Sequence, residues 1–141
     1  MTATVSVRHN FETAHRLPHL PGKCQSLHGH SWWVDVTVAG ETDERGVLVE
    51  FAPFKQRLRQ WIDGYLDHGV MLGERDPLRP LLPDFKTKVF TMAEWPTVEN
   101  VAALLGQVAN DVLCQLDVAD KVRVLAVEVH ETHVNRAGWR P

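Results

Sequence analysis

The chain has little of what marks secreted, membrane or nucleic-acid-binding proteins. Its 141 residues include 2 cysteines, too few for a disulfide-stapled secreted scaffold. No stretch approaches the roughly 20 apolar residues of a membrane span, and no basic stretch near the start precedes an apolar run. With 15 basic and 18 acidic side chains, the net charge of −3 excludes a general attraction to nucleic acid or an anionic membrane. These absences indicate a cytoplasmic protein with no nucleic-acid or membrane partner.

Length and patterning predict a single domain over residues 1–141. A chain of 141 residues can bury roughly two thirds of its unfolded surface in one core. No repeat with a period of roughly 20 to 50 residues and no low-complexity tract divides it.

Hydrophobic periodicity predicts strands and helices in an α+β order rather than alternating βαβ units. The helices carry apolar residues at three-to-four spacing, and the strands alternate apolar with polar residues. A loop rich in proline and charge is predicted at residues 73–84. In chain order, we expect strands at residues 5–11, 28–39 and 47–51, a helix at 53–66, a short strand at 88–92, a helix at 97–116 and a strand at 122–132.

Three histidines are spaced to hold one metal ion. His28 and His30 are two residues apart in a predicted strand, so their side chains project to the same side. His15, from the neighbouring strand segment, is placed to complete a tripod. Three imidazoles leave the fourth position of a tetrahedral zinc ion open, which is typical of catalytic sites. A His-Gly-His pattern alone also fits histidines that only form hydrogen bonds.

Two further groups could move protons near this cluster. Cys24 lies in a predicted loop, where nearby positive charge would favour its thiolate. Asp67 and His68 end a predicted helix. His68 could simply complement the helix dipole, or it could carry a proton while Asp67 fixes its tautomer. Cys114, in the second helix, is predicted to be a small buried hydrophobe.

The remaining polar candidates have structural and functional interpretations. Thr97 and Glu99 suit the N-cap and first turn of a helix. Glu131, late in an apolar strand, is costly to bury alone and should meet a cation or a planar pair of donors. The other four histidines are expected to be structural or peripheral: His9, His19, His130 and His133.

Five segments together resemble the 6-pyruvoyltetrahydropterin synthase family in order and spacing. The three-residue gap between Cys24 and His28 is similar to the bacterial branch, 6-carboxy-5,6,7,8-tetrahydropterin synthase. The resemblance covers residues 11 to 132. The matching segments are residues 11–17, 24–30, 66–68, 96–102 and 131–132.

This resemblance implies a tunnelling fold, in which an antiparallel sheet carries two helices on one face and several subunits close a β-barrel. It also implies that trimers stack into hexamers, with active sites between subunits. The implied site residues are His15, His28 and His30 as Zn²⁺ ligands, Cys24 as catalytic base with Asp67 and His68 as its partners, and Glu131, Thr97 and Glu99 around the pterin.

The implied reaction converts 7,8-dihydroneopterin triphosphate to 6-carboxy-5,6,7,8-tetrahydropterin, releasing acetaldehyde and triphosphate. It belongs to queuosine and 7-deazapurine biosynthesis. The alternative on the same fold is 6-pyruvoyltetrahydropterin synthase, which eliminates triphosphate without cleaving the side chain. Arg16 and Lys23 are candidates to meet the triphosphate. Departures from the family pattern, namely Glu50, Gly73 and the long segment 73–92, bear on side-chain specificity more than on zinc chemistry.

Overall fold

A long antiparallel hairpin forms the centre of the molecule. The computed structural model describes residues 2–141. Strand β1 (Thr2–His15) pairs with β2 (His28–Glu41) along their full length of 14 residues each. Both predicted strands are therefore confirmed, and both extend beyond their predicted bounds. The register places His15 directly opposite His28.

Four shorter strands extend the hairpin into a six-stranded sheet in the order β4-β3-β1-β2-β5-β6. The sheet is mixed, not entirely antiparallel as expected, because β3 runs parallel to both β1 and β4. In the chain, β2 and a helix lie between β1 and β3, and residues 74–88 lie between β3 and β4, so both parallel pairs have the long connection that parallel strands need. The added strands are β3 (Gly69–Gly73), β4 (Val89–Met92), β5 (Val122–His130) and β6 (Arg136–Trp139).

The predicted strand at residues 47–51 is wrong. Residues 47–50 are irregular, and Phe51 already belongs to helix α1 (Phe51–Tyr65). Asp43 explains the difference, because its backbone N–H donates to the Val47 carbonyl at 2.8 Å and its carboxylate accepts from the Val47 N–H at 2.9 Å. Such local bonds compete with a strand ladder. Leu48 and Val49 are nevertheless buried.

Two helices cover one face of the sheet. Helix α1 begins two residues before the predicted start, and α2 (Val98–Gln115) matches its prediction closely. Cys114 is exposed on α2, so its prediction as a buried hydrophobe is wrong. Neither helix is long and apolar enough to cross a membrane. The core between the layers includes Phe54, Leu58 and Ile62 from α1, Val101, Leu105 and Val112 from α2, and Phe11, Trp32, Val34 and Val36 from the sheet.

Candidate functional site

The paired ends of β1 and β2 bring three imidazoles together. The ring centroids of His15, His28 and His30 lie 4.7 to 5.2 Å apart. The side chain of His15 is fully buried, while that of His30 is 20% exposed. Trp32, also fully buried, lies edge-on to His15 and His30 at 5.0 and 5.6 Å. The cluster is thus accessible to solvent at His30 and packs against the indole of Trp32.

Backbone carbonyls orient two of these rings. Nδ1 of His15 lies 2.7 Å from the Pro96 carbonyl, and Nδ1 of His28 lies 2.6 Å from the Ser26 carbonyl. A carbonyl oxygen only accepts hydrogen bonds, so each Nδ1 carries the proton. In a neutral ring the lone pair is then on Nε2, as it is in a histidine that ligates metal through that atom.

Glu131 completes the cluster. Its Oε1 lies 3.0 Å from Nε2 of His15 and 3.4 Å from Nε2 of His30. One ligand-type atom from each of the three histidines and Glu131 lies within 4.8 Å of all the others. The strand prediction extended through Glu131, but β5 ends at His130.

The acid–base properties of the cluster favour a cation at its centre. The His15 imidazole beside Glu131 holds the pKa of that carboxyl below its ordinary value, against the effect of burial. Burial lowers the pKa of His30. Nε2 of His15 and of His30 is buried next to the Glu131 carboxylate, and neither atom forms a hydrogen bond within residues 2–141. Lone pairs and a carboxylate that converge in this way favour a positive charge between them, and this set of N and O donors could hold a metal ion.

Cys24 lies on an exposed 3-10 turn, Lys23–Gln25, outside this group of four ligand-type atoms. Its carbonyl accepts a hydrogen bond from the Leu17 N–H at 2.8 Å. The loop carrying the thiol therefore folds back onto the residues just after β1.

Asp67 and His68 pair with each other just beyond α1. Nδ1 of His68 lies 2.7 Å from an Asp67 oxygen, and the other oxygen accepts from the Glu12 N–H at 2.8 Å. These hydrogen bonds hold the pKa of Asp67 below its ordinary value although partial burial opposes the shift. The side chain of His68 is 79% exposed, and its φ is +59°. Within residues 2–141, no hydrogen bond or ion pair connects this pair to Cys24 or to the three histidines.

Thr97 and Glu99 have the structural positions expected of a helix start. The Thr97 hydroxyl accepts from the Asn100 N–H at 3.2 Å, and Glu99 lies in the first turn of α2. Because the preceding residue, Pro96, bonds to His15, this helix start adjoins the imidazole cluster. Arg16 is not a free cation for a triphosphate, since its guanidinium forms two hydrogen bonds with the buried carboxylate of Asp76.

A second polar cluster lies on the sheet face opposite the helices. Nε2 of His130 is 3.0 Å from Glu128 and 3.6 Å from Asp35. The Arg8 guanidinium donates two hydrogen bonds to the Asp35 carboxylate, at 2.7 and 2.9 Å. Its positive charge already balances that carboxylate, which disfavours a metal ion at this cluster. Sequence reasoning missed the Arg8–Asp35 pair, although alternation and the β1–β2 register together would have found it.

A cleft of about 550 Å³ adjoins both clusters. Its walls include His30 and Glu131 of the first cluster, Arg8 and His130 of the second, and Trp33. A small molecule in this cleft would therefore contact His30 and Glu131 of the imidazole cluster.

Comparison with solved structures places this fold in a known class. An uncharacterized protein from Wolinella succinogenes superposes with a TM-score of 0.84 at 21% identity, over 99% of this chain and 98% of that one. The 6-pyruvoyl tetrahydropterin synthase of Caenorhabditis elegans gives 0.72 at 25% identity, over 100% and 96%. The expected tunnelling fold is therefore confirmed for the single subunit, a mixed six-stranded sheet with two helices on one face.

Sequence comparison gives the family. Residues 4–141 match the 6-pyruvoyl tetrahydropterin synthase family, so the chain belongs to it. The 6-carboxy-5,6,7,8-tetrahydropterin synthase of Rickettsia bellii is 31% identical over 128 residues, covering 89% of this chain and 91% of the relative. The enzyme of the same name from Aquifex aeolicus is 29% identical over 124 residues, covering 84% and 76%.

Proposed function

We propose that this chain is a zinc-dependent 6-carboxy-5,6,7,8-tetrahydropterin synthase. It would convert 7,8-dihydroneopterin triphosphate to 6-carboxy-5,6,7,8-tetrahydropterin with release of acetaldehyde and triphosphate. The observation that carries the proposal is the convergence of His15, His28, His30 and Glu131 around one point next to an open cleft. The names of the relatives support the carboxy-forming reaction over the pyruvoyl-forming one.

The zinc ion would be held by Nε2 atoms of the three histidines, two of them oriented by backbone carbonyls. When bound, it would supply a Lewis acid that makes the hydroxyl and adjacent C–H groups of a coordinated side chain more acidic. Glu131 would anchor the pterin ring through a pair of hydrogen bonds to its planar donors. Thr97 and Glu99 would line the pterin end of the pocket.

Cys24 would remove a substrate proton as thiolate, and His68 would return one. The hydrogen bond to Asp67 supports the second role, because it fixes the proton on Nδ1 of His68 and leaves Nε2 free to exchange another. His68 is largely exposed within its own chain. An active site shared between subunits of a trimer or hexamer, which the family resemblance implies, would give this exposed pair a partner surface.

The direct test is incubation of the zinc-loaded protein with 7,8-dihydroneopterin triphosphate and identification of the products by mass. We expect acetaldehyde and 6-carboxy-5,6,7,8-tetrahydropterin, and loss of both products when a chelator removes the metal. A 6-pyruvoyl product without acetaldehyde would instead assign the chain to the pyruvoyl-forming branch.

A cysteine variant separates this mechanism from simple zinc hydrolysis. Cys24→Ala should retain zinc, since Cys24 is outside the ligand group, and should lose at least about 100-fold in kcat as a missing general base would. Cys114→Ala, which removes the exposed thiol of α2, is the matched control and should keep full activity. Full turnover by Cys24→Ala would favour attack by metal-bound water.

The proposal also covers the pathway, the location and the oligomeric state of the enzyme. The product would enter queuosine or another 7-deazapurine pathway in the cytoplasm, and the enzyme would work as a homohexamer. Sedimentation of the purified protein tests the assembly directly.

A further inference from the structure

The loop that carries Cys24 is fastened at its start by an ion pair to the β3–β4 connection. We define the Cys24 loop as residues 16–27 and the β3–β4 connection as residues 74–88. Arg16 donates two hydrogen bonds, at 2.8 and 2.5 Å, to Asp76, whose side chain is fully buried. The next residue, Leu17, donates its N–H to the Cys24 carbonyl. The ion pair therefore holds the residue directly before Leu17, whose N–H bonds to the Cys24 carbonyl.

The middle of the Cys24 loop is fastened by stacking. The His19 imidazole lies on the Trp95 indole with a centroid distance of 4.7 Å and an angle of 11° between the planes. The Arg75 guanidinium carbon lies 5.5 Å from the same ring. A Cβ added to Gly73 would approach the indole to 2.6 Å, so Trp95 can pack here because Gly73 has no side chain.

Residues next to Trp95 and at the end of the Cys24 loop also contact the imidazole cluster. Pro96, directly after Trp95, accepts from Nδ1 of His15, and Ser26, at the end of the Cys24 loop, accepts from Nδ1 of His28. The thiol loop and two imidazoles are thus held by one continuous set of contacts. Within the loop itself, regular structure is limited to one 3-10 turn of three residues and a few local hydrogen bonds.

From this arrangement, we propose that Trp95, His19 and the Arg16–Asp76 pair are positioning residues that hold the Cys24 loop against the imidazole cluster. This inference rests on the proposed role of Cys24 as the base. The inference also gives a function to the long segment between β3 and α2. This segment contains the buried Asp76 and places Arg75 and Trp95 next to the Cys24 loop. Misplacing a reacting group by about 1 Å can cost about 100-fold in rate, so a loop held loosely would turn over slowly.

Hydrogen exchange tests the positioning without any need for activity. The amides of Leu17, Gln25 and Ser26 are hydrogen-bonded within the Cys24 loop. His19→Ala removes one stacking partner from an exposed position, so the core stays intact. We expect these three amides to exchange about 3- to 10-fold faster in that variant, as the loss of one aromatic contact predicts. Amides in the middle of β2 should be unchanged.

Two variants control the experiment. His133→Ala, at another exposed histidine, should leave exchange in the Cys24 loop unaltered. Trp95→Phe keeps a ring for His19 to stack on and should stay within about 3-fold of the native exchange rates. Unchanged exchange in His19→Ala would overturn the proposal, and so would equal acceleration in His133→Ala.

Turnover then separates this inference from the function on which it rests. In His19→Ala we expect kcat to fall about tenfold with zinc content and KM unchanged, and His19→Phe to restore most of the loss because it can stack. Faster exchange with native kcat would show that the position of the loop does not matter and would overturn the proposal. If the native protein itself lacks the activity, only the proposed function fails, because the exchange data still report whether these residues hold the loop.

Discussion

At the scale of single residues, the ring nitrogen that carries the proton in each histidine decides what the site can bind. His15 and His28 each present a lone pair on Nε2 because a backbone carbonyl takes the Nδ1 proton. A different tautomer would point N–H groups into the cluster and favour an anion. Glu131 adds negative charge at the same point, so the donor set selects a cation.

Glu131→Gln is the sharpest residue-level test, because it keeps the shape of the side chain and removes its charge. We expect pterin binding to weaken by at least about tenfold, since a charged acceptor is replaced by a neutral one. Zinc content, measured by metal analysis after dialysis, should be unchanged because three imidazoles remain. Loss of zinc would instead identify Glu131 as a fourth ligand rather than a pterin anchor.

Much of the cluster could be predicted from sequence because strand geometry is simple. Alternation put His28 and His30 on one side, and the partner strand put His15 beside them. The partners of His15 and Arg16 could not be predicted, since Pro96 and Asp76 lie 81 and 60 residues away along the chain. Only tertiary packing brings them into contact.

At the scale of elements, helix α2 is held to the sheet partly by a close approach at Gly106. A Cβ on this residue would lie 2.3 Å from two ring carbons of Trp139 in β6. A glycine in a helix interior normally weakens the helix. Here its lack of a side chain lets the indole pack directly on the helix backbone.

Paired glycine substitutions test this contact. Gly106→Ala should destabilise the fold by about 1–3 kcal/mol, because overpacking against Trp139 outweighs the gain in helix propensity. Gly64→Ala, on the exposed side of α1 with nothing near its Cβ position, should stabilise by about 0.5–1 kcal/mol. Urea denaturation of both variants gives the two free energies of unfolding. Shifts of the same sign would contradict the assignment of this contact.

Sequence analysis missed strands β3 and β6, which are too short to show a clear alternation of apolar and polar residues. Strand β3 has five residues, four of them buried in succession, as in a parallel strand covered on both faces. Strand β6 has four residues, including a glycine. The long strands and both helices were predictable because each buries one face only. The parallel pairing of β3 could not be anticipated without that strand.

At the scale of the whole molecule, burial of ionisable groups couples stability to pH. Desolvation lowers the pKa of His9, and the positive charges of Arg59 and Lys55 on α1 add to this effect, while Asp63 opposes it. Nε2 of His9 is buried and has no hydrogen-bond partner among residues 2–141. The Arg8 guanidinium, by contrast, holds the pKa of Asp35 below its ordinary value, so that carboxylate stays charged in moderate acid.

The directions of these pKa shifts predict that acid destabilises the fold in two separate pH ranges. A histidine whose folded-state pKa is lowered stabilises the fold above its unfolded pKa of about 6.5, and this contribution is lost as the pH falls through the folded pKa. A carboxylate with a lowered pKa loses its contribution only below about pH 4. Between about pH 6.5 and 4, His9 should therefore contribute to the loss of stability while Asp35 does not.

His9→Leu should remove part of the upper window. We expect the free energy of unfolding of the native chain to fall more between about pH 7.5 and 5 than that of His9→Leu, because only the native chain must keep a buried imidazole neutral. Urea denaturation with chelator present keeps metal binding out of the comparison, and His133→Leu, at an exposed histidine, should behave like the native chain. If His9→Leu showed the same fall as the native chain, another buried group would have to account for the acid sensitivity of the fold.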